Sequence, residues 1–288
     1  MIRAKKGDQG YWDEWIGYRK KRLADMWEKC QSPAGDPTYA PQYMFELAKN
    51  HWHLMFCLYS RGDSINDMVP LFAPMLDAWE ESERLGRHVW STEQKARRHS
   101  WALNFDHYIV SFWLVGLALA LELPDDLWNR MVALIGNEGE DILLDRVIAS
   151  RSPGRRIGTQ LCFTRPYERL LTTINAPRPE QGQMLLEFVK HWYVELAQIS
   201  KGASVDQPAP SPYPYWHKFG DRDFEDGTYF GRWCVEAVAV VKVFGVDDSL
   251  CLGHENYPAN LLHQEIRSEP NHSIRTEKGG WYRKLLGL

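Results

Sequence analysis

The sequence predicts an all-α protein, a multi-helix bundle of two packed helical subdomains. Three observations lead there. Apolar residues recur at three-to-four spacing along most of the chain, first as Trp12, Trp15, Ile16, Leu23, Met26 and Trp27. Few stretches alternate with period two, and no hairpin turn signal stands out. The stretch from Tyr229 to Phe244 is apolar on nearly every face, interrupted only by Arg232, Glu236 and Lys242. A helix that is apolar all round belongs in the middle of a protein, so a buried central helix is predicted near 228–244.

The elements follow in order. The first 30 residues read as one helix, with Lys20, Lys21 and Arg22 on a solvated face. Pro33 and Gly35, within Ser32 to Asp36, end it. A second helix is predicted from Tyr43 to Tyr59, followed by the turn Arg61-Gly62-Asp63. Asp63 or Ser64 then caps a third helix towards Arg84, with Pro70 and Pro74 as local bends. Ser91-Thr92-Glu93-Gln94 has the pattern of a capping box and opens a helical region towards Glu122, broken once. Inside it, the apolar run Tyr108 to Leu121 is shorter than the roughly 20 residues of a membrane span and is bracketed by Asp106 and Glu122. It reads as a buried core helix. Further helices are predicted from Pro124, over Glu138 to Ala149, from Arg165-Pro166-Tyr167 to Pro177, and over Glu180 to Ile199. A long connector follows, rich in proline and small residues from Ala203 to Ser211 and aromatic from Tyr213 to Gly220. After the central helix, Gly245 suits a left-handed C-cap, and Asp247, Asp248 and Ser249 make a turn.

Composition bounds the function classes. With 44% hydrophobic and 25% charged residues the chain is globular. Its 288 residues allow one large domain or two modest ones. A net charge of −4 argues against a protein that wraps nucleic acid itself. The five cysteines are odd in number and not closely spaced, which fits a reducing compartment better than a disulfide framework. No signal-peptide core follows Met1. The expected location is cytoplasmic, with no membrane partner.

No catalytic or metal motif stands out. His51 and His53 are two apart, so on a helix they point to different sides. Asp106 and His107 diverge for the same reason. HExxH, CxxC, GxSxG, Walker and GxGxxG patterns are all missing. Cys234 reads as a small core residue. No enzyme activity, metal or cofactor is therefore expected. Two carboxylate clusters occur: Glu138, Glu140, Asp141 and Asp145, then Asp221, Asp223, Glu225 and Asp226. They serve as helix N-terminal charge and for solubility, or as an acidic surface facing a basic partner. Glu236, on a helix expected to be buried, needs a partner. Arg232 at i−4 is the first source, and the Arg-rich loop with Arg151, Arg155 and Arg156 is the second.

Several blocks carry a family resemblance in order along the chain. They are Tyr59-Ser-Arg-Gly-Asp-Ser-Ile65, Trp79-Glu80, Trp113-Leu-Val-Gly-Leu-Ala118, Leu134 to Asp141, Arg165-Pro-Tyr167, His191-Trp-Tyr193, and Tyr229 to Asn260. The most specific part runs from Arg232-Trp-Cys-Val-Glu-Ala237 through Val246-Asp-Asp-Ser249. These blocks resemble the PoNi family, bacterial immunity proteins that neutralise PoNe-type DNase toxins. One departure is Arg232, where the family suggests an aromatic residue. The resemblance implies a helical N-terminal domain over 1–122, a helical C-terminal domain over 123–266 and a polar tail over 267–288. It also implies a non-enzymatic protein that binds the nuclease domain of a cognate toxin in the producing bacterium's cytoplasm, the toxin being delivered often by type VI secretion. Arg232, Trp233, Glu236, Asp247, Asp248 and Tyr257 then read as structural motif residues. A DNase needs a basic groove. The connector offers it aromatic and acidic groups, so Tyr213, Tyr215, Trp216, Asp221, Asp223, Glu225 and Asp226 are the expected toxin contacts. The alternatives are a hydrolase whose site is assembled from scattered His and Asp residues, and a general helical adaptor.

Overall fold

A computed structural model of the chain describes residues 1–31, 36–197, 213–221 and 224–263. The turn at 32–35, the proline-rich connector up to 212, Asp223 and the tail from 267 lie outside the described residues. Among the described residues there are ten α-helices and no strand, so the fold is all-α as predicted. The chain divides into two compact units that part between Trp90 and Ser91.

The first unit contains helices α1 (Gln9–Gln31), α2 (Ala40–Arg61) and α3 (Phe72–Val89). The predicted stripe on α1 is buried at Trp12, Ile16, Leu23 and Met26, and α1 lies against α2. Between α2 and α3 the core is aromatic. Trp52 and Trp79 lie 6.3 Å apart, and Phe45 meets each edge-on at 5.9 Å. Gly62 closes α2 in the left-handed region (φ 104°), its N–H reaching the carbonyls of Leu58 and Tyr59. Ser64 does cap, but it caps a 3-10 turn over Ile65–Leu71, and α3 starts only at Phe72. Pro74 thereby falls in the first turn of α3, where its missing N–H breaks no helical bond.

The second unit contains α4 (Thr92–His99), α5 (Phe105–Ala120), α6 (Asp125–Ile135), α7 (Ile142–Ala149), α8 (Thr164–Asn175), α9 (Arg178–Glu195) and α10 (Val235–Phe244). The Ser91–Gln94 capping box forms with both reciprocal bonds. Asn104 caps α5, its side chain accepting from the His107 N–H at 3.0 Å. Helix α5 is buried from His107 to Ala120 and packs chiefly on α10. Gly116 permits the close approach, because a Cβ there would lie 2.6 Å from Val235 Cγ1 and 3.0 Å from the Val235 carbonyl oxygen. Gly116→Val should therefore overpack this contact and destabilise the fold by about 1–3 kcal/mol. An unchanged midpoint in chemical denaturation would show that α5 and α10 can separate without cost.

Two expectations are corrected. The central helix spans Val235–Phe244, not 228–244. Residues 228–234 are non-helical because their backbone bonds elsewhere: the Cys234 N–H donates to the Asn256 carbonyl at 2.8 Å, and Asn256 Nδ2 donates to the Arg232 carbonyl at 3.0 Å. The predicted helix from Glu138 starts at Ile142. Asp141 caps it, accepting from the Leu143 and Leu144 N–H groups at 2.9 and 2.7 Å. By packing, the first unit ends at Trp90 and the second begins at Ser91. The apolar run of α5 needs α10 to cover it, so it belongs to the second unit.

Candidate interaction surface and its supporting core

The connector residues 213–221 are held on the second unit by their own chemistry. His217 stacks on Tyr193 of α9 with ring centres 4.2 Å apart and planes 5° from parallel, and Tyr213 covers its other face at 5.2 Å. Two bonds reinforce the stack. The Tyr193 hydroxyl donates to the His217 carbonyl, and His217 Nε2 lies 2.8 Å from the Tyr193 carbonyl. Arg232 lies over the outer face of Tyr193 at 4.3 Å, and Lys218 over Tyr213 at 4.6 Å. Burial depresses the His217 pKa, and Arg232 and Lys218 depress it further. From α5, Asp106 Oδ1 accepts the Tyr215 N–H at 2.9 Å. This anchoring role of Asp106 was not read from the sequence, and the contact spans 109 positions.

The expected contact residues separate into two groups. Trp216 is only 2% exposed. It stacks on Trp192 at 5.8 Å and meets Trp113 at 4.9 Å, so it is a core residue and not a surface anchor. Tyr213 and Tyr215 are half-buried. Asp221, Glu225 and Asp226 are exposed. Asp221 is ion-paired with Arg232, and Asp223 lies outside the described residues. Of the expected contacts, the described acids are thus exposed and the aromatics are buried or half-buried.

The motif residues sit in and around α10. Glu236 is fully buried. Its Oε1 accepts from the Tyr167 hydroxyl of α8 and from Trp192 Nε1 of α9, each at 3.1 Å. The expected arginine partner is thus corrected. Arg232 is not on the helix, so the i−4 geometry does not exist, and it pairs with Asp221 instead. Arg155 pairs with Asp145 at 2.6 Å. Trp233 is buried. After α10, Asp247 Oδ1 accepts from the Ser249 N–H at 2.9 Å, while Tyr257 donates to the buried Asp248 carboxylate. Gly245 caps α10 in the left-handed region (φ 63°).

The remaining candidate chemistry resolves into packing. His51 is buried and accepts from Trp27 Nε1 at 3.2 Å, and burial pulls its pKa down to about 3. His107 packs edge-on against His99 at 6.0 Å, and burial takes its pKa to about 4. Asp106, beside it in sequence, is engaged with Tyr215. Among the described residues no three His, Cys, Asp or Glu side chains gather to hold a metal ion. The first acidic cluster is divided likewise. Asp141 and Asp145 are buried in backbone and arginine contacts, while Glu138 is exposed and pairs with Arg156 at 3.5 Å. Among the described residues no helix is long and apolar enough to cross a membrane.

Comparison with known proteins supplies the wider context. The chain matches no curated protein. Among solved structures it is similar to protein PA2201 from Pseudomonas aeruginosa, with a TM-score of 0.63 and 17% identity over 91% of this chain and 89% of that one. At that identity the likeness is one of fold. Two family models match in order. The one described as PoNe immunity protein (PoNi), N-terminal, covers residues 3–133, and the one described as PoNe immunity proteins (PoNi), C-terminal, covers residues 139–261. With both models matched over nearly all of its first 261 residues, the chain belongs to the PoNi family of PoNe immunity proteins.

Proposed function

We propose that this protein protects its own cell by binding a cognate antibacterial DNase toxin, of the kind delivered by type VI secretion, and that it acts in the cytoplasm by direct contact and without catalysis. The observation that supports the reading is the ordered match of both PoNi models. The side-chain chemistry agrees with it, since His51 accepts a bond from Trp27 and His107 packs against His99. Co-expression with a PoNe-type toxin tests it. The two products should co-purify, and added protein should stop DNA cleavage by the toxin at stoichiometric ratio. Metal-dependent hydrolysis by the protein alone, removed by changing one of its own His or Asp residues, would establish the hydrolase alternative.

The contact surface we propose is the exposed acidic turn holding Glu225 and Asp226, together with Asp221 and the neighbouring Asp223. Its charge complements the basic groove that a DNase needs for a polyanionic substrate. Such charges act mainly on the rate of association. Glu225→Lys combined with Asp226→Lys should slow association by about tenfold or more at low salt, with thermal melting unchanged. An unchanged association rate removes this turn from the interface while leaving the protective function intact.

A further inference from the structure

The second unit holds a fully buried carboxyl group whose side-chain hydrogen-bond donors are a phenol and an indole, both neutral. Glu236 is fully buried where α10 meets its neighbours. From α8 it receives the Tyr167 hydroxyl, from α9 the Trp192 indole N–H, and from α5 the indole of Trp113 faces it. The titratable groups that act with it are Tyr108 of α5, Tyr167 of α8 and Cys234 just before α10. All three are neutral acids whose own pKa values burial pushes up. From α7, the carboxylate of Asp145 is bound to Arg155. The nearest arginine in sequence, Arg232, is bound to Asp221.

We propose that Glu236 is a proton-operated latch, which as the neutral acid ties α8, α9 and α10 together and on ionisation weakens the packing of the second unit. A charged carboxylate here would be desolvated with only neutral donors around it, and such a site favours the protonated form. Burial accordingly raises the Glu236 pKa to about 7, against the lesser opposing effect of its hydrogen bonds. The ordinary value is 4.5. The folded pKa is the higher one, so the folded state binds the proton more tightly. The stabilisation is fully present below the ordinary value and is lost as pH rises through about 7.

The buried histidines act with the opposite sign. Burial lowers the pKa values of His51, His53, His99 and His107, so they destabilise the fold as pH falls. The latch is therefore read from the difference between wild type and Glu236→Gln, both unfolded by urea between about pH 5 and about pH 8. The unfolding constant of wild type relative to the glutamine variant should rise on the order of a hundredfold across that range. A ratio that is flat, or that falls as pH rises, overturns the proposal. Tyr167→Phe supplies a second reading should the glutamine variant fail to fold. Loss of a donor to the carboxylate should move the pH at which stability is lost upwards, whereas a purely structural tyrosine would lower stability equally at every pH.

Discussion

Arg155→Ala should destabilise the second unit by about 3–5 kcal/mol, the cost of leaving a buried carboxylate without its counter-charge. The Arg155 side chain is 4% exposed and that of Asp145 is 0%. Arg155 Nε donates to Asp145 Oδ1 at 2.6 Å, and its Nη2 donates to the Gly136 carbonyl at 2.7 Å. The other carboxylate oxygen accepts the backbone N–H groups of Gly139, Asp141 and Gly158, each at 3.1 Å. Asp141 extends the knot, accepting from the Cys162 N–H at 2.7 Å and from the Tyr108 hydroxyl at 3.2 Å. One ion pair thus fixes the loop on each side of α7 to α5. Asp145→Ala should cost a similar amount, because it strands the arginine and three backbone donors. The two changes share one network, so the double variant should cost clearly less than the sum of the singles. Urea denaturation of the four proteins measures this. A single-variant cost below about 1 kcal/mol would mean that the pair behaves as a solvated one.

That knot shows where sequence reading stops. Arg155 and Asp145 were each visible, one in an arginine-rich loop and the other in an acidic cluster, but nothing in their spacing of ten pairs them. Glu236 is similar. Its burial was legible from the apolar run around it, and its need for partners followed from electrostatics. The partners themselves, Tyr167 and Trp192, lie 69 and 44 positions away. Arg232 was the local choice, and it fails because Cys234 and Arg232 give their backbone groups to Asn256 and not to a helical turn. Local signals did better. The capping box at Ser91, the single break in the helical region towards Glu122, the helix start after Pro124 and the glycine cap at Gly245 all form as written. Each depends on residues within one turn of chain. In the connector, composition showed that acids and aromatics are adjacent. It did not show which of them face solvent, because that is decided by the tryptophans of α5 and α9.

Trp216 turns that last point into a measurement. Removing a large buried aromatic costs about 3–5 kcal/mol, made up of lost transfer free energy and the cavity left behind. Trp216 is 2% exposed and sits among Trp113, Trp192 and Phe230, with ring centres 4.9, 5.8 and 6.3 Å away. Trp192 is also the donor to Glu236, so a cavity beside it loosens the group that holds the buried carboxyl. Trp216→Ala should therefore lower thermal stability strongly, and any loss of cell protection should follow from the depleted folded population. Trp216→Phe keeps most of the ring volume and should restore most of both. An interface anchor would behave differently. Its alanine variant would keep the wild-type melting temperature while losing toxin binding, because a hot-spot side chain contributes to the complex and not to the free fold. Thermal melting and toxin association measured on the same two variants separate these outcomes. A stable, non-binding Trp216→Ala would place this residue back on the contact surface.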